Sequence, residues 1–148
     1  MASISVIDDT YIEATPQAVF DIISDYGRMN EWFDQCRCTV LNNDTIKPGS
    51  LIRHEVGAKR VLTRFTRRID KIDKGKRIEE SYIEGDLIGT GVWSFTPEGS
   101  GTRVAFDCRV KGNSLMSNFG LLLTGSKMHS VFYQDMFKSL KTHLANSI

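Results

Sequence analysis

The side chains able to do chemistry fall mostly between residues 36 and 84. Cys36 and Cys38 stand two apart, so on a strand both point to one face. Together with Cys108 they raise metal binding. However, Cys-x-Cys lacks the usual zinc spacing and no matching histidine cluster follows. No metal and no cofactor is therefore expected. A cysteine nucleophile would need a paired base, and the sequence alone does not place His54 beside any cysteine. His54 alternates with Ile52 and Val56, which turns it inward. It is then either a ligand-contacting or acid–base group, or a hydrogen-bonded core histidine. No GxGxxG or P-loop pattern is present, and no catalytic residue is assigned.

Arg67 is the most informative charge. With Lys74-Gly75 as a hairpin turn, Phe65 faces Glu84, Arg67 faces Tyr82 and Ile69 faces Glu80. Val61 and Ile78 share that face and make it the apolar, inward one. The opposite face, with Arg64, Arg68, Asp70, Glu79 and Ser81, belongs in water. A guanidinium flanked diagonally by Glu80 and Glu84 in an apolar face must be paired or solvated in a cavity. It is either a polar anchor for a ligand head group or a salt-bridge cluster at the sheet rim. Residues 53–77 carry ten Lys or Arg against three Asp or Glu, but four acids follow in residues 79–86 on the neighbouring strand. Cross-strand pairing absorbs that charge, and no nucleic-acid partner is expected.

These groups must be positioned by one domain spanning 1–148, since 148 residues suit one core. Net charge is +1, hydrophobic content 41% and charged content 25%, as in a globular soluble protein. No apolar run is long enough to span a bilayer. The start, MASISVIDDTYIEA, lacks a basic and apolar leader, so a cytoplasmic location is expected. Three cysteines without such a leader argue against a disulfide framework.

A strand is predicted over 3–13. Thr15 then caps a helix with Pro16 at its first position and Val19, Phe20, Ile22 and Ile23 on its apolar face. A second short helix covers SDYGRMNEWF. Strands follow at 36–46 and 50–58 about Pro48-Gly49, at 60–72 and 76–84, and at 89–96 and 102–111 about Gly99-Ser100. The last hairpin sets Phe95 opposite Val104 and Trp93 opposite Phe106, sharing a face with Cys108 and Val110. Ser114 to about Ala145 has helical apolar periodicity and no proline. Consecutive hairpins make an antiparallel sheet, and the long helix is its available cover.

This order resembles the START-like helix-grip superfamily, which includes the polyketide cyclase/dehydrase and lipid-transport families. The stretches that carry the resemblance are ATPQAVFDIISDYGRMNEWF, PGS, GTGVWSFTPEGSGTRVAF and FKSLKTHLA. It covers nearly the whole chain, and its motifs specify fold better than function. It implies an α+β helix-grip fold: a curved antiparallel sheet of about seven strands wrapped on a long C-terminal helix, with two short helices after the first strand. It also implies a cavity between sheet and helix, with Trp32 and Phe33 near its mouth, unless those two simply pack the short helices on the sheet.

The residues bear on that cavity. The inward stripe of the long helix reads Phe119, Leu122, Ser126, Ser130, Tyr133, Phe137, Leu140 and Leu144. Its small centre opposes a sheet rich in rings, among them Trp93, Phe95 and Phe106, and leaves space that Leu or Ile would normally fill. Tyr133 is either core or a donor to ligand. The expected function is binding of a hydrophobic small molecule or lipid for transport, storage or sensing. The alternatives are a polyketide cyclase/aromatase or dehydratase, and a regulatory protein-interaction module. A second stripe, Leu121, Met128, Phe132 and Met136, either packs on the short helices or stays exposed. Exposed, it would suit a homodimer contact or a transient membrane contact.

Overall fold

A computed structural model describes residues 3–42, 45–57, 61, 63–113 and 115–146, with the backbone alone over 115–128. The elements run β1 (Ser3–Ile12), α1 (Pro16–Ser24), a 3₁₀ helix (Tyr26–Glu31), β2 (Cys36–Val40), β3 (Leu51–Val56), β4 (Thr63–Asp73), β5 (Arg77–Gly85), β6 (Leu87–Glu98), β7 (Gly101–Gly112) and α2 (Leu115–Asn146). The strands form one antiparallel sheet in the order β1-β7-β6-β5-β4-β3-β2. This is the α+β architecture expected. No described helix is long and apolar enough to cross a membrane.

Local chemistry accounts for the first helix. The Thr15 side chain accepts from the Ala18 N–H at 3.2 Å, and Pro16 occupies a position that needs no donor. Val19, Phe20 and Ile23 form its buried face. The second short helix is a 3₁₀ helix, and it buries Tyr26 and Met29.

The β6–β7 hairpin closes on Gly99-Ser100 and pairs Phe95 with Val104 and Trp93 with Phe106, as the alternation requires. All four are buried, with Cys108 and Val110 on the same face. Above them lie Tyr133 and Phe137 of α2. The Tyr133 ring stacks 4.7 Å from Phe106, and Phe137 meets Trp93 edge-on at 6.3 Å. Burying rings of this size contributes about 2–3 kcal/mol each, which is what holds α2 on the sheet. Gly91 lets the sheet close over Phe106: a Cβ there would stand 2.7 Å from Phe106 Cζ.

The β4–β5 hairpin departs from the two-residue turn. Asp73 pairs with Arg77, so the loop is Lys74, Gly75 and Lys76, with Gly75 at φ 74°. That loop shifts the register by one. An extra residue in β4, Asp70, shifts it back, so Arg67 faces Tyr82 and Ile69 faces Glu80 after all. A second irregularity leaves Ile83 of β5 unpaired and puts Glu84 opposite Thr66. Glu84 is consequently exposed, a correction to its expected inward placement. Val61 precedes β4 and is also exposed rather than inward.

β2 ends at Val40 instead of continuing to 46, and residues 41–50 connect it to β3. Asn42 closes that connection with its side chain: Nδ2 donates to the Gly49 carbonyl (3.1 Å), and Oδ1 accepts from the Leu51 N–H (2.8 Å). The second stripe of α2, where its side chains are described, follows the packed one of the two expected arrangements. Met136 is buried, and Phe132 is half-buried with its ring edge-on to Phe33 at 5.3 Å. Phe132 thus packs on the segment that follows the 3₁₀ helix, and Met136 lies within the core. The side chains of Leu121 and Met128 lie outside the described residues.

Candidate functional site

The inner face of β3, β4 and β5 carries a buried polar cluster. Arg67 and Glu80 are 4% and 1% exposed, and Nη1 stands 2.9 Å from Glu80 Oε2. Nη2 donates to the Tyr133 hydroxyl at 3.0 Å and also to the Tyr82 hydroxyl. The Tyr26 hydroxyl donates to Glu80 Oε1 from the 3₁₀ helix. The guanidinium lies 4.4 Å from the Tyr82 ring centre and 5.2 Å from those of Phe65 and Phe106. Burial by itself opposes the charge on Arg67, but Glu80 and the surrounding tyrosines outweigh it and hold the group cationic.

Burial pushes Tyr26, Tyr82 and Tyr133 above the usual phenol range. They therefore remain protonated hydrogen-bond donors. Burial, reinforced by the Arg67 charge, holds His54 well below the usual imidazole range, so it is neutral. Its ring stacks on Phe65 at 5.0 Å. Burial pushes Cys108 up to about 11, and its sulfur lies 3.6 Å from the Tyr82 hydroxyl.

Three polar atoms here have no partner among the described residues: His54 Nε2, Arg67 Nε and Trp93 Nε1. All three residues line one small cavity of about 20 Å³, together with Met29, Cys36, Val56, Phe65, Phe132, Tyr133 and Met136. A buried donor left unpaired costs about 1–3 kcal/mol, so the convergence of three on one space is informative. Glu80 Oε2 is close to Nη1 but not aligned with it for a hydrogen bond.

Of the residues singled out from the sequence, His54, Phe65, Arg67, Trp93 and Tyr133 line this cavity. Glu80, Tyr82 and Phe106 support it through Arg67 and Tyr133. Phe95 is buried away from it, edge-on to Phe20 at 5.5 Å. Ser130 is half-buried. The side chains of Phe119, Leu122 and Ser126 lie outside the described residues. Trp32 lines an outer groove of about 100 Å³ with Ile22, Arg28 and His143, while Phe33 is buried behind Phe132. Met29 and Cys36 at the cavity, and Tyr26 on Glu80 beside it, were not anticipated. Their placement depends on the 3₁₀ helix and the β2–β3 register, which periodicity does not reveal.

Residues 12–137 match the family described as polyketide cyclase / dehydrase and lipid transport. The chain belongs to this family. Among solved structures, the protein TTHA0849 from Thermus thermophilus shares the fold. It is 20% identical, with 97% of this chain and 98% of the other covered and a TM-score of 0.78. A START superfamily protein from Mycobacterium smegmatis is 17% identical over 97% and 99% of the two chains, with a TM-score of 0.76. Ginseng major latex-like protein 151 from Panax ginseng is 12% identical over 97% and 98%, with a TM-score of 0.71. At such identities the likeness establishes the helix-grip fold and no activity. Among curated proteins no relative matches.

Proposed function

We propose that this protein binds a hydrophobic small molecule between the sheet and α2, with an acceptor oxygen of the ligand against Arg67, Trp93 and His54. A lipid, quinone, polyketide-like or steroid-like compound meets that description. The observation that carries the reading is the set of three unpartnered polar atoms on residues that line one cavity. A carboxylate or carbonyl there would pair donors that the protein leaves unpaired. The rings of Phe65, Trp93, Phe132 and Tyr133 supply the apolar lining. Membership of a family described as including lipid transport agrees with it.

The enclosed 20 Å³ holds about one water. A bound organic molecule must therefore displace wall residues such as Met136 and Phe132. Binding is favoured over a cyclase or dehydratase reaction because burial moves the tyrosines up and His54 down, away from the neutral range where a general acid or base works best. Transport, storage or sensing in the cytoplasm is the setting we propose for such a binder.

The test is native mass spectrometry of the purified protein, with solvent extraction of whatever co-purifies, followed by titration with an apolar fluorophore. A retained hydrophobic compound, or saturable 1:1 fluorophore binding displaced by fatty acid, is the expected result. Absence of both, with turnover of a poly-keto substrate, would replace the reading with the cyclase one.

A further inference from the structure

Cys36 and Cys38 point to the inner face of β2, and the β2–β3 register sets His54 directly opposite Cys38. Three donor atoms converge as a result. Cys36 Sγ and Cys38 Sγ are 3.8 Å apart, and His54 Nδ1 lies 3.2 Å from Cys38 Sγ and 3.9 Å from Cys36 Sγ. All three residues are buried. A metal bonded at about 2.3 Å to thiolate and about 2.0 Å to imidazole in tetrahedral geometry holds sulfur and sulfur about 3.8 Å apart, and sulfur and nitrogen about 3.5 Å apart. The observed sulfur–sulfur distance equals the first value, and the two sulfur–nitrogen distances fall on either side of the second. Met29 Sδ, from the 3₁₀ helix, stands 3.8 Å from Cys38 Sγ and adds a thioether at the edge of the triangle.

We propose that Cys36, Cys38 and His54 bind a thiophilic d10 cation, copper(I) or zinc(II), with Met29 as a further soft donor. The donor set contains two sulfurs, one nitrogen and a thioether, and no oxygen, which excludes magnesium and calcium by chemistry. The Nδ1 atom of His54 faces the sulfurs. Coordination forms two metal–sulfur bonds and one metal–nitrogen bond, and the two thiol protons pass to solvent. With copper(I) the site carries one net negative charge. With zinc(II) it is neutral. The thioether favours copper(I).

The experiment uses the full chain, reduced and metal-free, and the ions alone. Copper(I) is titrated anaerobically against a chromogenic chelator, and zinc(II) in a parallel series. One equivalent is expected to bind and to raise the melting temperature, and the X-ray absorption spectrum of the loaded protein should show two sulfurs near 2.3 Å and one nitrogen near 2.0 Å. Cys38→Ser should weaken uptake by more than about 100-fold, beyond the 10–100-fold typical of outer-shell changes. Met29→Leu should weaken copper(I) selectively. Cys108→Ser, which removes the buried thiol outside the triangle, should leave uptake unchanged. Failure of both ions to bind at one equivalent, oxygen-dominated coordination in the spectrum, or equal uptake by wild type and Cys38→Ser overturns the proposal. The spectrum requires no variant, so it decides the matter even if Cys38→Ser folds poorly.

Discussion

Replacing Arg67 with Met separates anchor from scaffold. In the wild type the guanidinium is the cationic partner of Glu80, which is 1% exposed, and it holds the Tyr82 and Tyr133 hydroxyls. Met fills most of the stem volume, so the change removes charge and hydrogen bonds more than packing. Glu80 would keep the Tyr26 donor and lose its cation. Breaking a buried pair from one side costs about 3–5 kcal/mol. At about 2–4 °C per kcal/mol for a chain of this size, the melting temperature should fall by roughly 6–20 °C. Adding Glu80→Gln removes the orphaned charge, and the double variant should regain at least about half of the loss. Differential scanning fluorimetry with circular dichroism measures both. Fluorophore displacement by an acidic and a neutral apolar ligand, below the lowered transition, then reads the anchor. Acidic ligands should lose affinity more than neutral ones. If Arg67→Met shifts the transition by less than about 2 °C, or the double variant is no better than the single, the pairing argument is wrong. If acidic and neutral ligands weaken equally, Arg67 is structural and not an anchor.

Gly91→Ala should destabilise by about 1–3 kcal/mol, because its Cβ would stand 2.7 Å from Phe106 Cζ and Phe106 is already held between Trp93 and Tyr133. Denaturant unfolding measures this, and a change below about 0.5 kcal/mol would show that Phe106 has room to move. His129 should titrate below the usual imidazole value, since burial outweighs the Asp8 carboxylate 3.3 Å away. The unfolded state then takes up more protons, so stability falls as pH drops through about 6.5 and levels off below the folded-state value. His129→Gln should lessen the slope there and leave the part that the buried His54 contributes, and an NMR titration placing His129 above its ordinary value would refute the sign.

The parts of the fold that were legible are those where turn chemistry and alternation agree. Gly99-Ser100 between two alternating runs fixes the β6–β7 register without ambiguity. The β4–β5 centre was legible for a less secure reason. A three-residue loop and the extra Asp70 cancel, and only the segment between Asp70 and Ile83 keeps the two-residue-turn register. Glu84 lies beyond the second irregularity and so faces water. The β2–β3 hairpin was expected, but its register was not legible. A turn at Pro48-Gly49 would put His54 far from either cysteine, and the actual connection is held by the Asn42 side chain, which no periodicity reports. Tyr26 and Met29 reach the site from a 3₁₀ helix, whose short, irregular pattern gives no facial signal.

The inner face of the sheet is divided in a way that bears on both proposals. On the β6–β7 side, rings meet rings: Phe20 with Phe95, Trp93 with Phe106, and Phe137 above. On the β2–β5 side Cys36, Cys38, His54, Arg67, Glu80 and Tyr82 are buried among Ile52, Phe65, Ile69 and Ile78. A sheet that needed only a core would place apolar residues at the polar positions too, because each buried polar group costs free energy unless it is paired. The seam between the halves runs through Trp93 and Tyr133, and there Trp93 Nε1 is unpartnered among the described residues. An apolar ligand with one acceptor end fits across that seam, with its body against the rings. A thiophilic ion fits beyond it, at the β2–β3 edge. The two occupants are experimentally separable. Arg67 supplies no donor to the ion, and Cys38 does not line the cavity. Arg67→Met should therefore alter ligand preference with metal uptake intact, and Cys38→Ser should do the reverse. Coupled loss in both variants would mean that the buried polar groups act as one structural unit.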